Sequence, residues 1–155
     1  MDERLDQYDR RIMAALQRDG RMPAVELARR INLSKTPTLV RLKRLEAEGY
    51  ILGYRAVLNE ERLGRAHIAF VEVKLSDTRA PALNAFNAAV QDIPEIEQCH
   101  MIASSFDYLL KVRSKDIADY RTVLGEKISA LPNVAHTSTY VSMESVKDRS
   151  DFEAE

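Results

Sequence analysis

The chain of 155 residues contains no tryptophan and one cysteine, Cys99. With a single thiol it forms no intrachain disulfide, and we expect a reducing, cytoplasmic setting in which Cys99 is a small buried hydrophobe on a strand. No apolar run approaches the roughly 18 residues that cross a membrane. The start, MDERLDQYDRR, is highly charged and lacks the apolar core of a signal peptide. These absences predict a globular protein with no membrane partner.

Charge is present in quantity but is unevenly distributed. The formal net charge is −1, yet residues 1–60 carry 12 basic and 9 acidic side chains, and residues 61–155 carry 11 and 15. Within residues 29–55, seven basic side chains stand against two acidic ones. Such clustering is typical of a surface that binds nucleic acid, although charged helix faces are also common.

The apolar pattern of the first part of the chain predicts three short helices. LDQYDRRIMAALQRDG repeats apolar residues at helical spacing and stops near Gly20. A second helix spans residues 23–32 and opens with a proline, which a first turn tolerates. Ser34 is a good N-cap for the third helix, and Gly49 is the natural residue to follow its C-terminus.

After the third helix the pattern changes to that of a strand. YILGYRAVLN, residues 50–59, has aromatic and β-branched residues around Gly53, which predicts a short two-stranded ribbon. NEERLG, residues 59–64, is a polar connector. We therefore expect the boundary between two domains at this connector.

The second half of the chain alternates between strand and helix patterns. Ile68 and Phe70, with either Val71 or Val73, mark the expected buried side of its first strand. A very tight turn is expected between the second and third strands. The order β-α-β-β-α-β predicts a ferredoxin-like, four-stranded antiparallel sheet with two helices on one face. The predicted strands are residues 66–76, 96–104, 106–114 and 134–146, and the predicted helices are residues 80–93 and 116–131.

The third helix has one apolar side and one basic side. At about 100° per residue, Leu39, Leu42 and Leu45 face the core. The major groove of DNA admits a helix, and arginine binds guanine or clamps phosphate. A solvated helix face is the alternative interpretation, but the short turn after the preceding helix favours a helix-turn-helix. The side opposite the leucines carries Pro37, Val40, Arg41 and Arg44, flanked by Thr36 and Lys43.

The prediction of DNA binding extends beyond this face to neighbouring cations and backbone groups. Arg29 lies near the expected crossing of the second helix over the DNA backbone, and Arg55 lies in the predicted ribbon. Backbone N–H groups at the start of the third helix suit a phosphate. The complete predicted set is Arg29, Ser34, Lys35, Thr36, Pro37, Thr38, Val40, Arg41, Lys43, Arg44 and Arg55.

Signatures of catalysis are missing. The chain has no Walker loop, no G-x-S-x-G motif and no paired catalytic carboxylates. His67, His100 and His136 lack partners at metal-ligand spacing, and the adjacent Cys99-His100 pair points to opposite faces of a strand. We expect no catalytic residue, no metal and no cofactor.

Several motifs in order resemble those of the leucine-responsive and asparagine-linked regulator family, Lrp/AsnC. The resemblance covers residues 2–148 and is greatest to the leucine-responsive subgroup. In the second half it rests on EIEQCHMIASSFDYLLKVR and LPNVAHTSTYVSMESVKD. In the first half the matching positions are Asp6, Asp9, Glu26-Leu27-Ala28, Leu33-Ser34, Arg41, Arg44-Leu45-Glu46, Gly49, Ile51 and Gly53-Tyr54.

The resemblance implies an α+β architecture and a transcription regulator. Residues 1–58 are expected to form a winged helix-turn-helix domain that binds double-stranded DNA, and residues 59–65 a linker. Residues 66–148 are expected to form a βαββαβ ferredoxin-like (RAM) domain for effector binding and oligomerisation, followed by a tail at residues 149–155. The family assembles as dimers and often as octamers, so a homo-oligomer in the cytoplasm, associated with the nucleoid, is expected.

The resemblance also implies a free amino acid as effector, bound between sheet domains of neighbouring dimers. Leucine or another apolar amino acid is expected from the subgroup. This chain has Ser104-Ser105 where the family commonly has a glycine followed by an acidic residue, which leaves the geometry of the pocket open. By position, the effector-binding residues are Met101, Ala103, Ser104, Ser105, Asp107, Tyr108, Thr137 and Thr139.

Two other functions remain open at this point. The chain can be an oligomeric amino-acid sensor that does not read DNA, or a small dimeric enzyme, since the same sheet fold hosts such enzymes. Individual effector residues also have simpler interpretations. Asp107 and Tyr108 fit an ordinary hairpin, and β-propensity alone explains Thr137 and Thr139.

Overall fold

A computed structural model describes residues 5–147, and the chain divides into two compact units between Ala56 and Val57. The predicted tail, residues 149–155, lies outside the described residues. The first unit contains the three predicted helices. They are α1 (Gln7–Arg18), α2 (Ala24–Ile31) and α3 (Lys35–Ala47).

A reciprocal pair of aspartates starts α1. The Asp6 side chain accepts hydrogen bonds from the backbone N–H groups of Tyr8 and Asp9, at 2.8 and 3.0 Å. The Asp9 carboxylate accepts one in return from the Asp6 N–H, at 3.1 Å. This capping box satisfies N–H groups that the first turn of a helix leaves unpaired. It also brings both carboxylates to the same end of α1.

The turn between α2 and α3 depends on one left-handed residue. Asn32 has φ 58° and ψ 47°, and its N–H donates to the last carbonyls of α2. Ser34 then takes the extended N-cap conformation before α3, but its side chain makes no capping hydrogen bond. Gly49 ends α3 with φ 76°, as expected for its position.

The core of the first unit joins all three helices. Ile12, Leu27, Ile31 and Leu45 are buried together, and Leu42 packs against them. Leu39, which we expected to face the core, is only half-buried. The helical periodicity therefore placed the core of α3 correctly near Leu45 and less well towards its N-terminus.

The two-stranded ribbon predicted after α3 is wrong for the single chain. Residues 52–58 belong to no helix or strand, and Leu52 is 96% exposed. The Tyr54 side chain attaches this segment to the helices, in place of the backbone hydrogen bonds of a strand pair. The Tyr54 hydroxyl donates to Glu46 at 2.9 Å, and the Tyr54 ring lies so close to Gly20 that a Cβ there would meet it at 3.3 Å.

The second unit has the predicted β-α-β-β-α-β order. All neighbouring strands are antiparallel, and their order in the sheet is β2-β3-β1-β4. The last strand is shorter than expected and ends at Val141. The α4 helix continues into a short 3-10 turn and α5 into a π-helical turn. The elements are β1 (His67–Leu75), α4 (Ala80–Ala89), β2 (Ile96–Met101), β3 (Tyr108–Ser114), α5 (Ile117–Val123) and β4 (Val134–Val141).

One face of the sheet packs against the helices. On β1 the buried side chains are Ala69, Val71, Val73 and Leu75, which pack in one cluster with residues of α4 and α5. Our expectation for Ile68 and Phe70 is wrong, because alternation along the strand turns them to the other face, where Phe70 is 38% exposed. Both Val71 and Val73 are on the buried side. The half-buried Cys99 of β2 packs against this core.

The connection between β2 and β3 is longer than the tight turn that we expected. Six residues, 102–107, join Met101 to Tyr108, which are paired across the hairpin. The Ile102 N–H donates to the Asp107 carbonyl at 2.9 Å, and the Asp107 N–H donates to the Val73 carbonyl at 2.9 Å. The loop is therefore anchored both to itself and to β1.

Asn32 provides a test of the helix-turn-helix geometry. Because its side chain is exposed and its φ is positive, Asn32→Ile should lower the free energy of unfolding by about 1–2 kcal/mol through backbone strain. Asn32→Gly should leave it nearly unchanged, since glycine adopts this conformation freely. Thermal denaturation of the two variants measures the difference. Equal stability would contradict the assigned backbone geometry.

Candidate nucleic-acid interface and effector site

The outward side of α3 carries an exposed stripe of polar and small apolar residues. Lys35, Thr36, Pro37, Val40 and Lys43 are all exposed, and Val40 reaches 64%. Neither lysine forms an ion pair with any residue that the structure describes. We call these five residues the α3 stripe. Their ammonium and hydroxyl groups can bind phosphates or base edges, and the Val40 methyls can contact thymine.

Thr38 must be removed from the predicted DNA-binding set. Its side chain is fully buried, and its Oγ1 donates to the Ser34 carbonyl at 2.9 Å. Thr38 precedes Leu45 by seven residues, which is about two helical turns. Both side chains therefore lie on the side of α3 that faces the core. Ser34 itself is exposed beside the α3 stripe.

The structure also corrects the expectation that Arg41 and Arg44 are free on the outward face. Arg41 Nη1 lies 2.9 Å from Asp9 Oδ1, and Arg44 Nη2 lies 2.5 Å from Asp9 Oδ2. The Asp9 side chain is 1% exposed, whereas those of Arg41 and Arg44 are 28% and 39% exposed. Both arginines of α3 therefore bind one buried carboxylate of α1, and each side chain remains partly accessible.

The exposed carboxylate of Asp6 also binds Arg41. Arg41 Nη1 lies 2.7 Å from Asp6 Oδ2, and the guanidinium lies 5.5 Å from the centre of the Tyr8 ring. The backbone N–H of Asp9 and then the guanidinium of Arg41 lower the pKa of Asp6, so this carboxylate is ionised at neutral pH. Arg41 thus lies between two anions.

The two predicted cations outside α3 have different surroundings. Arg29 makes two hydrogen bonds of 2.8 Å to Glu26, which also accepts from Arg30 at 3.0 Å. The hydrogen bonds from Arg29 and then Arg30 lower the pKa of Glu26 to about 2. Arg55 is exposed and forms no ion pair with a described residue. Arg55 is thus available to a polyanion, whereas Arg29 shares its charge with Glu26.

The roles of Asp6 and Asp9 were the main feature that sequence reasoning missed. Both appeared only as positions of a family motif, although their spacing of three residues, just before an apolar helical pattern, is a capping signal. Their arginine partners lie 32 and 35 residues along the chain from Asp9. A pairing over that separation depends on helix packing, which periodicity does not provide.

In the second unit, four of the predicted effector residues lie together at one end of the β2-β3 hairpin. Met101, Ala103, Ser104 and Ser105 are all exposed. Ser104 replaces a glycine of the family, yet among the described non-glycine residues a positive φ occurs only at Asn32 and Asn133. The loop therefore does not need the conformational freedom of glycine at position 104.

Two further predicted residues have internal roles. Tyr108 is 2% exposed, packs on Phe86 at 4.3 Å and donates its hydroxyl to Asn87 at 2.8 Å, so it is a core residue. The Asp107 carboxylate accepts from the Leu75 N–H at 2.8 Å and from Lys74 Nζ at 3.2 Å. Tyr108 is therefore corrected from an effector ligand to a core residue, and Asp107 ties the loop to β1.

Thr137 and Thr139 lie on the other face of the sheet from the depression beside the loop. Thr137 pairs with Val73 and Thr139 with Val71, so both point to the helix-covered side. Thr139 Oγ1 lies 2.5 Å from the Tyr120 hydroxyl. Ser105 borders an open depression on the helix-free side, whose other lining residues are Glu72, Lys74, Phe106, Ala135, His136 and Ser138. A single chain therefore does not bring Ser105 and the two threonines into one pocket.

Comparison with known families agrees with this division into two units. Residues 5–51 match the profile of a winged helix-turn-helix DNA-binding domain. Residues 68–152 match the profile of the Lrp/AsnC ligand binding domain. The chain belongs to the Lrp/AsnC family. It is a DNA-binding transcription regulator with a domain for an amino-acid ligand, and the family's members are regulators, not enzymes.

Individual Lrp/AsnC proteins resemble the chain over nearly its whole length. A proline dehydrogenase transcriptional activator of Rhizobium radiobacter is 63% identical and covers 93% of this chain and 92% of its own. The leucine-responsive regulatory protein of Escherichia coli strain K12 is 48% identical, covering 92% and 87%. The crystal structure of a transcriptional regulator from Neisseria meningitidis in complex with L-methionine has a TM-score of 0.88 at 30% identity, covering 93% of each chain.

No helix among residues 5–147 has the length and apolar character needed to span a membrane. Within the same residues, no group of three or more histidine, cysteine, aspartate or glutamate side chains is arranged to hold a metal ion.

The buried position of Asp9 generates a stability prediction. Asp9→Asn leaves Arg41 and Arg44 without the charge that binds both, and it should lower the free energy of unfolding of the first unit by about 3–5 kcal/mol. Asp19→Asn is the matched control, because this exposed carboxylate forms no ion pair with a described residue. Denaturant unfolding followed by circular dichroism compares them. Similar stability of the two variants would show that the cluster does not hold the helices together.

Proposed function

We propose that the α3 stripe is the surface with which this regulator reads and grips DNA. The observation that supports the proposal is an exposed, cationic helix side whose two lysines form no ion pair with a described residue. Arg41 and Arg44 lie at the edge of the stripe and contribute the accessible part of their guanidinium groups. Ser34, Arg29 and Arg55 are proposed as flanking phosphate contacts.

We also propose that the regulator acts as a homo-oligomer, as a dimer and further as an octamer. Apolar side chains that a single chain leaves exposed support self-association: Leu52 and Leu58 after α3, and Phe70 and Tyr140 on the helix-free face of the sheet. Two linked DNA-binding heads grip two half-sites together, which raises affinity without a new contact. The proposed location is the nucleoid in the cytoplasm.

Lys43 gives the sharpest test of the DNA surface. Lys43→Ala removes a cation that pairs with no acid among residues 5–147, so folding should be unaffected. Affinity for a labelled DNA duplex should fall uniformly across sequences, and the slope of log affinity against log salt should decrease by about 1 for each DNA-binding head. Fluorescence anisotropy over a salt series measures both quantities.

The control for that experiment is an exposed lysine of the second unit. Lys115→Ala changes the net charge by the same amount but lies outside the helix-turn-helix. Its affinity and salt slope should match those of the unchanged protein. If Lys43→Ala also matches the unchanged protein, the α3 stripe is not the DNA surface.

For the effector, we propose that the loop of residues 102–107 and the adjacent depression bind a free amino acid between neighbouring chains. The depression supplies the Glu72 carboxylate for the ammonium group of the ligand, and the cationic Lys74, which also pairs with Asp107, for its carboxylate. The exposed hydroxyls of Ser104 and Ser105 add donors for the carboxylate. Asp107, with both oxygens already bonded, is left to position the loop.

Thr137 and Thr139 remain candidates only as residues contributed from another chain. Their side chains point away from the depression that Ser105 borders. The solved structure of the related Neisseria regulator contains L-methionine, and two close relatives are named for leucine and for proline dehydrogenase. We therefore propose an apolar amino acid, with leucine, methionine and proline as the first to be tested.

A substitution of Glu72 tests this proposed ammonium site. In the unchanged protein, at least one of L-leucine, L-methionine and L-proline should raise the melting temperature. Glu72→Gln should abolish that shift, because the ammonium group loses its counter-charge in a partly buried setting. Differential scanning fluorimetry measures the shift.

The matched control is Glu126→Gln, an exposed acid on the helical side of the same unit. It should retain the full shift. A shift that persists in Glu72→Gln would place the ammonium group elsewhere, and the absence of any shift in the unchanged protein would argue against all three ligands.

A further inference from the structure

The two oxygens of the Asp6 carboxylate have different partners. Oδ1 caps α1 by accepting from the N–H groups of Tyr8 and Asp9. Oδ2 lies 2.7 Å from Nη1 of Arg41 on α3. The Asp6 side chain is 47% exposed, in contrast to 1% for Asp9. One oxygen thus maintains the helix, and the other presents a surface anion to an arginine at the edge of the α3 stripe.

Arg41 does not need Asp6 in order to stay in place. Its Nη1 also donates to the buried Asp9 carboxylate at 2.9 Å, and its guanidinium lies over Tyr8. Its Nε and Nη2 donate to no residue that the structure describes. A phosphate oxygen accepts the same charge-assisted hydrogen bonds as a carboxylate oxygen. Asp6 therefore occupies a position at Arg41 that suits a phosphate of the DNA backbone.

Resting on the proposed DNA surface of α3, we propose that Asp6 limits DNA affinity by acting as an internal competitor of the backbone phosphate for Arg41. On binding, a phosphate replaces Asp6 Oδ2 while Asp9 keeps its hold on the guanidinium. The buried carboxylate is never left unpaired, so the exchange takes place at the surface only. Asp6 acts through Arg41 and is thus a positioning residue, not a DNA contact.

The substitution Asp6→Asn separates the two functions of the side chain. Asparagine is as good an N-cap as aspartate, so Oδ1 continues to cap α1, while the charge that faces Arg41 is removed. The full-length variant should bind a labelled duplex of random sequence about two- to fivefold more tightly for each DNA-binding head at low salt. The gain should shrink as salt rises, because salt screens the exposed charges. Unchanged or weaker binding would overturn the proposal.

Two further variants isolate the contact with Arg41 from a general loss of negative charge. Asp19→Asn makes the same change in net charge at the other end of α1, next to Arg18, and should raise affinity much less. Arg41→Gln retains a donor for Asp9 but has no charge for Asp6 to neutralise. In that background Asp6→Asn should give no gain beyond that of Asp19→Asn. The exchange would be contradicted if Asp6→Asn and Asp19→Asn raised DNA affinity equally. It would also be contradicted if Asp6→Asn gave its full gain in affinity in the Arg41→Gln background.

The Lys43→Ala variant distinguishes a failure of the competition by Asp6 from a failure of the proposed DNA surface. If Lys43→Ala weakens binding but Asp6→Asn gives no gain, the surface stands and the competition by Asp6 is wrong. If Lys43→Ala has no effect, the DNA surface itself is wrong. Circular dichroism of Asp6→Asn, with Asp6→Ser as a second capping residue, checks that α1 remains folded.

Discussion

The first unit depends on one buried carboxylate. Asp9 lies at the start of α1 and binds Arg41 and Arg44 of α3, so a single charge determines how the first helix meets the third. A carboxylate that is 1% exposed is tolerated only with such partners, because an unpaired buried charge is very costly. Ion pairing between α1 and α3 therefore adds to the apolar core that joins the helices.

This arrangement divides the cations of α3 into two groups. Arg41 and Arg44 hold the unit together and are partly neutralised, whereas Lys35 and Lys43 have no internal counter-charge among the described residues. The free charge of α3 is consequently smaller than a count of basic residues indicates. Most of the uncompensated positive charge of α3 is then on the two lysines of the α3 stripe, because aspartates pair with the two arginines at its edge.

Much of the fold was predictable, because periodicity reports which elements form and turn residues report where they end. Gly49 has the left-handed conformation that its position suggested, and the β-α-β-β-α-β order followed from alternating patterns. Which face of a strand is buried was less predictable. Phe70 is as apolar as Val71, and Val71 is buried because the helices cover the face of the sheet to which it points. The partners of Asp9 depend on packing across more than thirty residues and left no local signal.

The predicted effector residues also show that the sequence alone does not reveal which side chains lie together. Their positions in the sequence do not show which chain of an oligomer supplies each of them. In this chain Ser105 borders a depression on the helix-free face, while Thr137 and Thr139 point to the helix-covered face. Opposite faces of one sheet cannot contact a single small molecule. A pocket that uses both sets must therefore combine the loop of one chain with the strand edge of another, which makes ligand binding and assembly two aspects of one equilibrium.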